Sequence, residues 1–199
     1  KLISDGAQAM GSTLDGFPIS DYCDYTTYSF QAIKTLTTGD GGMLVLKDKT
    51  QLKKAKRLRW FGIDRDDKQQ GVWENDLKEI GFKYQMTDIA AAIGLAGLDE
   101  FKEISEKRIS LFHEYVRNIQ NENVGIIGKN ISEQFFFVPW LMTIILKNNN
   151  KDQVMKCLRK SNIESAQVHY RNDRYTIFGG KRKKLVNMNW VEERNLVLP

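Results

Sequence analysis

The stretch Ser29-Phe-Gln-Ala-Ile-Lys34-Thr-Leu-Thr-Thr-Gly-Asp-Gly-Gly42 sets one lysine between a strand-like run and a glycine-rich turn. Tyr25 to Ala32 is rich in Thr, Tyr and Phe, and Met43 to Leu46 is a second short apolar run; both compositions suit pleated, half-buried strands. The pattern predicts a hairpin over 25–47 with Lys34 on its connection. Gly39, Gly41 and Gly42 permit close backbone approach to a ligand, and Ser29, Thr35, Thr37 and Thr38 set hydroxyls along the same path. Donors grouped around an amine suit an anionic partner.

A lysine becomes a nucleophile when burial or nearby cations lower its pKa, and it then forms imines with carbonyl compounds or with pyridoxal phosphate. That cofactor also needs an anionic group at its pyridine nitrogen and a cradle of donors for its phosphate. Asp5, ending the short apolar stretch Leu2-Ile3 as a strand-end carboxylate would, meets the first need; Ser29 meets part of the second. The plainer alternative for Asp5 is a turn cap, since Asp readily bonds its own backbone.

Five ordered segments carry a resemblance. Ile3-Ser-Asp5-Gly-Ala-Gln8-Ala-Met-Gly11, Gly16-Phe-Pro-Ile19, the Ser29 to Gly42 stretch, Leu58-Arg-Trp-Phe-Gly-Ile63 with Gly81-Phe-Lys-Tyr-Gln-Met-Thr-Asp-Ile-Ala-Ala-Ala-Ile93, and Val168-His-Tyr170 are followed by Leu196-Val-Leu-Pro199. Together they resemble the DegT/DnrJ/EryC1/StrS sugar aminotransferases over essentially the whole chain. The resemblance implies an α/β protein of the fold type I pyridoxal-phosphate transferases, with part of the large cofactor domain over 1–98, and a bridging helix with a small α+β domain over 99–199. It implies Lys34 as the Schiff-base lysine and proton carrier, Asp5 as the pyridine-nitrogen partner, Gln8 as a ring contact and Ser29 as a phosphate ligand. Lys83 stands where relatives place an asparagine or lysine reaching the partner subunit's active site, and His169-Tyr-Arg-Asn-Asp-Arg174 is a segment that in relatives approaches the active site, which makes His169, Tyr170 or the arginines candidates for the diphosphate or the sugar. Many relatives have arginine where this chain has Gln85. The implied reaction moves an amino group from glutamate to a nucleotide-diphosphate keto sugar, as in lipopolysaccharide or antibiotic sugar biosynthesis, in a homodimer with shared active sites. Relatives that act as sugar dehydratases have histidine in place of the lysine, so Lys34 favours transamination. A non-catalytic regulatory or binding homologue is the rival of another class. Family members are about twice as long, so both ends of the chain look cut, and part of the pocket is expected from sequence that is not present.

Composition is consistent with this reading. A chain that is 41% hydrophobic and 28% charged is ordinary for a folded protein and unlike a disordered one. No window approaches the roughly 20 apolar residues of a membrane span, and no signal segment opens the chain, so cytoplasm is the expectation. Cys23 and Cys157 form no CxxC and have no histidine at metal-ligand spacing; they read as reduced thiols, with no metal. The net charge of +5 suits phosphorylated ligands as well as it suits nucleic acid, for which no signature is found.

The remaining elements are expected as follows. A basic amphipathic helix covers 48–60, and a polar irregular stretch with Trp73 covers 61–79. Thr87 or Asp88 caps a long helix whose early part is kept thin by Ala91, Ala92, Gly94 and Gly97 for close packing, with His113 structural. A loop over 121–134 precedes strand material at 135–138 and 140–146, broken by Pro139. Asp152 caps a short helix, 163–170 is extended, and Lys181-Arg-Lys-Lys184 is a solvated face.

Overall fold

The computed structural model describes residues 1–66, 77, 79–182 and 184–199. The expected site of Trp73 lies outside the described residues. The chain divides into two compact units, the first formed by residues 1–106 with 134–138, the second by 107–133 with 139–199.

In the first unit a sheet runs in the order β1 (Ile3–Asp5), β4 (Tyr25–Ser29), β5 (Gly42–Leu46). β1 and β4 are parallel, with Asp5 beside Thr27, while β4 and β5 form the antiparallel hairpin expected around the lysine. Thr26, on the middle strand, is only 1% exposed, and its hydroxyl has no hydrogen-bond partner among the described residues. A second small sheet joins β2 (Thr13–Leu14) to β3 (Phe17–Pro18) and to β7 (Phe135–Phe136), more than a hundred residues away in sequence.

The basic helix is shorter than expected. Asp48 accepts hydrogen bonds from the Thr50 backbone and hydroxyl at 2.9 and 2.6 Å, a 3-10 turn covers Lys49–Gln51, and α1 occupies only Leu52–Leu58. Beyond it, Gly62 adopts φ +78° directly against Gly81; a Cβ on Gly81 would lie 1.9 Å from the Gly62 nitrogen. Backbone bonds from Phe61 to Phe82, Phe82 to Leu58 and Tyr84 to Arg59 close this clasp, and Arg57 pairs with Glu79 at 2.7 Å.

The long helix α2 (Asp88–Asn118) is a single element. The Thr87 hydroxyl accepts from the Ala90 N–H at 3.2 Å, so Thr87 is its cap. Among the described residues no helix is long and apolar enough to cross a membrane.

The second unit is built on an antiparallel sheet, β6 (Val124–Ile126), β8 (Met142–Leu146), β9 (Asn195–Leu198). β6 falls inside the stretch expected as loop: its Val-Gly-Ile is too short, and Gly125 too weak a strand former, to signal a strand alone. In β8 every second residue is buried, matching the apolar alternation. Leu196 of β9 is fully buried, and Val197 exchanges two backbone bonds with Ala166, so the 163–170 segment follows the sheet edge as an isolated bridge. Helix α3 (Lys151–Lys160) starts from Asn150, so Asp152 lies in its first turn and is not its cap. A further helix, α4 (Val186–Glu192), was not expected.

Leu196→Ala empties a fully buried site and is expected to cost about 2–5 kcal/mol in urea denaturation. Thr26→Val removes a buried hydroxyl that has no partner, so its midpoint is expected at or above that of the parent protein.

Candidate active site

Because β1 and β4 run parallel, Asp5 and Ser29 both lie at C-terminal strand ends on the same edge of the sheet. In parallel sheets, ligands bind outside this edge. Asp5 Oδ1 accepts the Ala7 N–H at 3.0 Å, as a turn cap would, while Oδ2 takes no hydrogen bond from the described residues. Gly6 follows so tightly that a Cβ there would come within 3.0 Å of the Thr27 carbonyl oxygen. Gln8 is exposed on the turn beyond, its amide without a partner among the described residues. Ser29 Oγ accepts the Gln31 N–H at 3.3 Å.

Lys34 stands five residues past the end of β4, half-buried, on a loop bonded within itself. The Lys34 N–H bonds the Gln31 carbonyl, Phe30 N–H bonds Gly41, and Thr38 N–H returns to Phe30, each at 2.9 Å. The Thr37 hydroxyl donates to Phe30 and accepts from Gly39, and the Thr38 hydroxyl donates to Asp40 at 2.7 Å. Thr37 and Thr38 therefore brace the lysine loop instead of lining a ligand path. Phe30, Leu36 and Thr38 are buried beneath it. The thin face of α2 packs here: a Cβ on Gly94 or Gly97 would come within 2.9 Å of the Thr38 or Leu36 methyls.

Lys83 is exposed, bridges to Trp60 in the backbone, and lays its ammonium 4.7 Å from the Trp60 ring centroid. Both of these contacts are with Trp60, one through the ring and one through the backbone bridge. Around it the structure adds an aromatic group that sequence reasoning missed: Phe82 stacks on Tyr84 at 5.1 Å, and Arg65 lies 5.2 Å from the Trp60 ring. The alternation of aromatic and basic residues in Phe82-Lys-Tyr84 was the signal available.

His169 and Tyr170 lie in the second unit, both exposed, with the His169 ring 6.0 Å from that of Trp140. Sequence reasoning also missed the anchor of this segment. Arg171, 3% exposed, grips both carboxylate oxygens of Asp173 at 2.5 and 2.6 Å, and donates to Asn189 and to the Arg182 carbonyl. The Arg182 N–H closes onto Asp173 at 2.8 Å. These bonds, the Arg171 side chain's first, hold the Asp173 carboxyl down to about 2 from an ordinary 3.8. Cys23 is buried and Cys157 exposed, both as free thiols.

The family model of the DegT/DnrJ/EryC1/StrS aminotransferases matches residues 1–199. The chain belongs to this family. It is 31% identical to an uncharacterized protein of Methanocaldococcus jannaschii over 100% of this chain and 54% of that protein. It is likewise 31% identical to the GDP-perosamine synthase of Escherichia coli O157:H7, over 85% of this chain and 44% of the synthase. Among solved structures, the sugar aminotransferase CalS13 of Micromonospora echinospora aligns with a TM-score of 0.88 at 26% identity, covering 99% of this chain and 52% of that one. The fold is thus part of the fold type I α/β architecture, and the chain spans about half the length of the curated relatives it matches.

Gly94→Val should overpack the lysine loop and lower stability by about 1–3 kcal/mol in denaturant titration. Asp173→Asn should lower the melting temperature at neutral pH. A carboxyl whose folded pKa is depressed stabilises above its unfolded value, so the gap to the parent should shrink as pH falls from about 4 towards 2 in melts followed by circular dichroism.

Proposed function

We propose that this chain carries the lysine-bearing part of a pyridoxal-phosphate-dependent aminotransferase that moves an amino group from glutamate to a nucleotide-linked keto-deoxy sugar. The carrying observation is the convergence of Asp5, Ser29 and the braced Lys34 loop at one edge of a sheet. Among the described residues Asp5 keeps one carboxylate oxygen unbonded and Gln8 its whole amide, and Lys34 supplies an amine on a loop that packing holds in place. That donor set fits the cofactor: an acid for its ring nitrogen, an amide for its ring, a hydroxyl for its phosphate and an amine for its aldehyde.

When bound, the cofactor supplies an electron sink for the charge that develops at the donor's α-carbon. Asp5, as a carboxylate, holds a proton on the ring nitrogen. Ser29 donates to a phosphate oxygen. Lys34 would hold the cofactor at its aldehyde, and its amine is the group placed to take up the proton that the donor's α-carbon loses. Lysine at position 34 supports amine transfer over dehydration. His169 and Tyr170 are proposed as substrate contacts and Lys83 as a cofactor-phosphate contact across a homodimer. Exposed Ile80, Phe82, Tyr84 and Ile89 support such an association, because apolar surface gathered in this way marks an interface. A cytoplasmic enzyme acting on a diphosphate-linked sugar completes the reading.

The purified protein mixed with pyridoxal phosphate should develop a visible absorbance band that glutamate bleaches. Lys34→Ala should lose the band and the amine transfer together, and Asp5→Asn should keep binding but lose about 100-fold or more in transfer rate. No band in the parent protein overturns the reading.

A further inference from the structure

Arg174, in the second unit, has no opposite charge paired with it among the described residues. It is exposed, its guanidinium carbon lies 4.3 Å from the Tyr170 ring centroid and 5.9 Å from that of Tyr175, and it has no ion-pair partner among the described residues. Both tyrosines are about half exposed.

The acid that should quench it is its neighbour, Asp173. That carboxylate is already committed, with both oxygens closed by buried Arg171 and one also by the Arg182 N–H. The same clamp fixes the 3-10 turn Asn172–Arg174 that carries Arg174. From His169 to Lys184 the sequence holds six Lys and Arg side chains against this single carboxylate. Of these, Lys181 is paired with Glu192 at 2.9 Å. An arginine lying on aromatic rings still presents its N–H edge, whose planar fork matches two oxygens of an oxyanion.

We propose that Arg174, gripped between Tyr170 and Tyr175, binds the diphosphate of a nucleotide-linked ligand, with Arg171 as the positioning residue that holds Asp173 away from it. The excess positive charge favours a ligand with several negative charges over singly charged glutamate. The proposal rests on the nucleotide-sugar reading above and assigns a group to it.

The test is calorimetric titration of the purified protein, at low salt, with inorganic pyrophosphate, UDP, GDP and pyridoxal phosphate. Parent protein should bind the diphosphates, more weakly as salt rises. Arg174→Gln should weaken them about tenfold or more with an unchanged melting temperature, as loss of a charge-assisted pair requires. Arg174→Lys should recover only part, because an ammonium keeps the charge and loses the fork. Tyr170→Leu should weaken binding with Arg174 still present. Equal pyrophosphate affinity in parent and Arg174→Gln overturns the proposal, as does a parent that binds no diphosphate. A loss in Arg174→Gln confined to pyridoxal phosphate overturns the diphosphate assignment. Arg174-dependent diphosphate binding in a protein without a cofactor band sustains the anion site and sinks the aminotransferase reading; a cofactor band with Arg174-independent binding does the reverse.

Discussion

The contact of α2 with the lysine loop is the packing on which the candidate site depends. A helix can come this close to a loop only if it carries no side chains there, and Gly94 and Gly97 meet the Thr38 and Leu36 methyls at a separation a Cβ would violate. Glycine inside a helix costs about 1 kcal/mol relative to alanine, a cost the close packing offsets. The returned contact buries Leu36, Thr38 and Phe30, and the loop's own backbone bonds then leave Lys34 on a rigid support. A reactive side chain is more precise on such a support than on a loop left to solvent.

The elements legible in the sequence were those whose signal is local. The hairpin around Lys34 declares itself by two apolar runs flanking glycines, and β8 by a short run of apolar and β-branched residues. The thinness of early α2 was legible as well; what it packs on was not, because Gly94 and Thr38 are far apart in sequence. β2 illustrates the same limit, since its partner β7 is supplied by non-local pairing that no window of sequence contains. α4 went unseen because Val-Asn-Met-Asn-Trp alternates like a strand and holds its helical form through the fold around it.

Of the candidate site, residue types and order were readable, but partners were not. The threonines near Lys34 looked like ligand donors, yet Thr37 and Thr38 are used on the backbone. Arg171 read as one of two arginines open to a phosphorylated ligand, yet it is buried with Asp173 as its counter-ion. Burial of a charge is invisible in composition, and it decides whether an arginine two or three residues along is neutralised or left to meet a ligand.

Gly62 and Gly81 touch backbone to backbone, so the chain enters and leaves the intervening stretch at nearly the same point. Closing a loop costs little more as it lengthens, and here the closure is made by the two ends themselves. The two glycines at this neck are therefore nearly irreplaceable: a side chain on Gly62 would meet the Glu79 carbonyl oxygen, and one on Gly81 the Gly62 nitrogen, so either would force the two backbones apart.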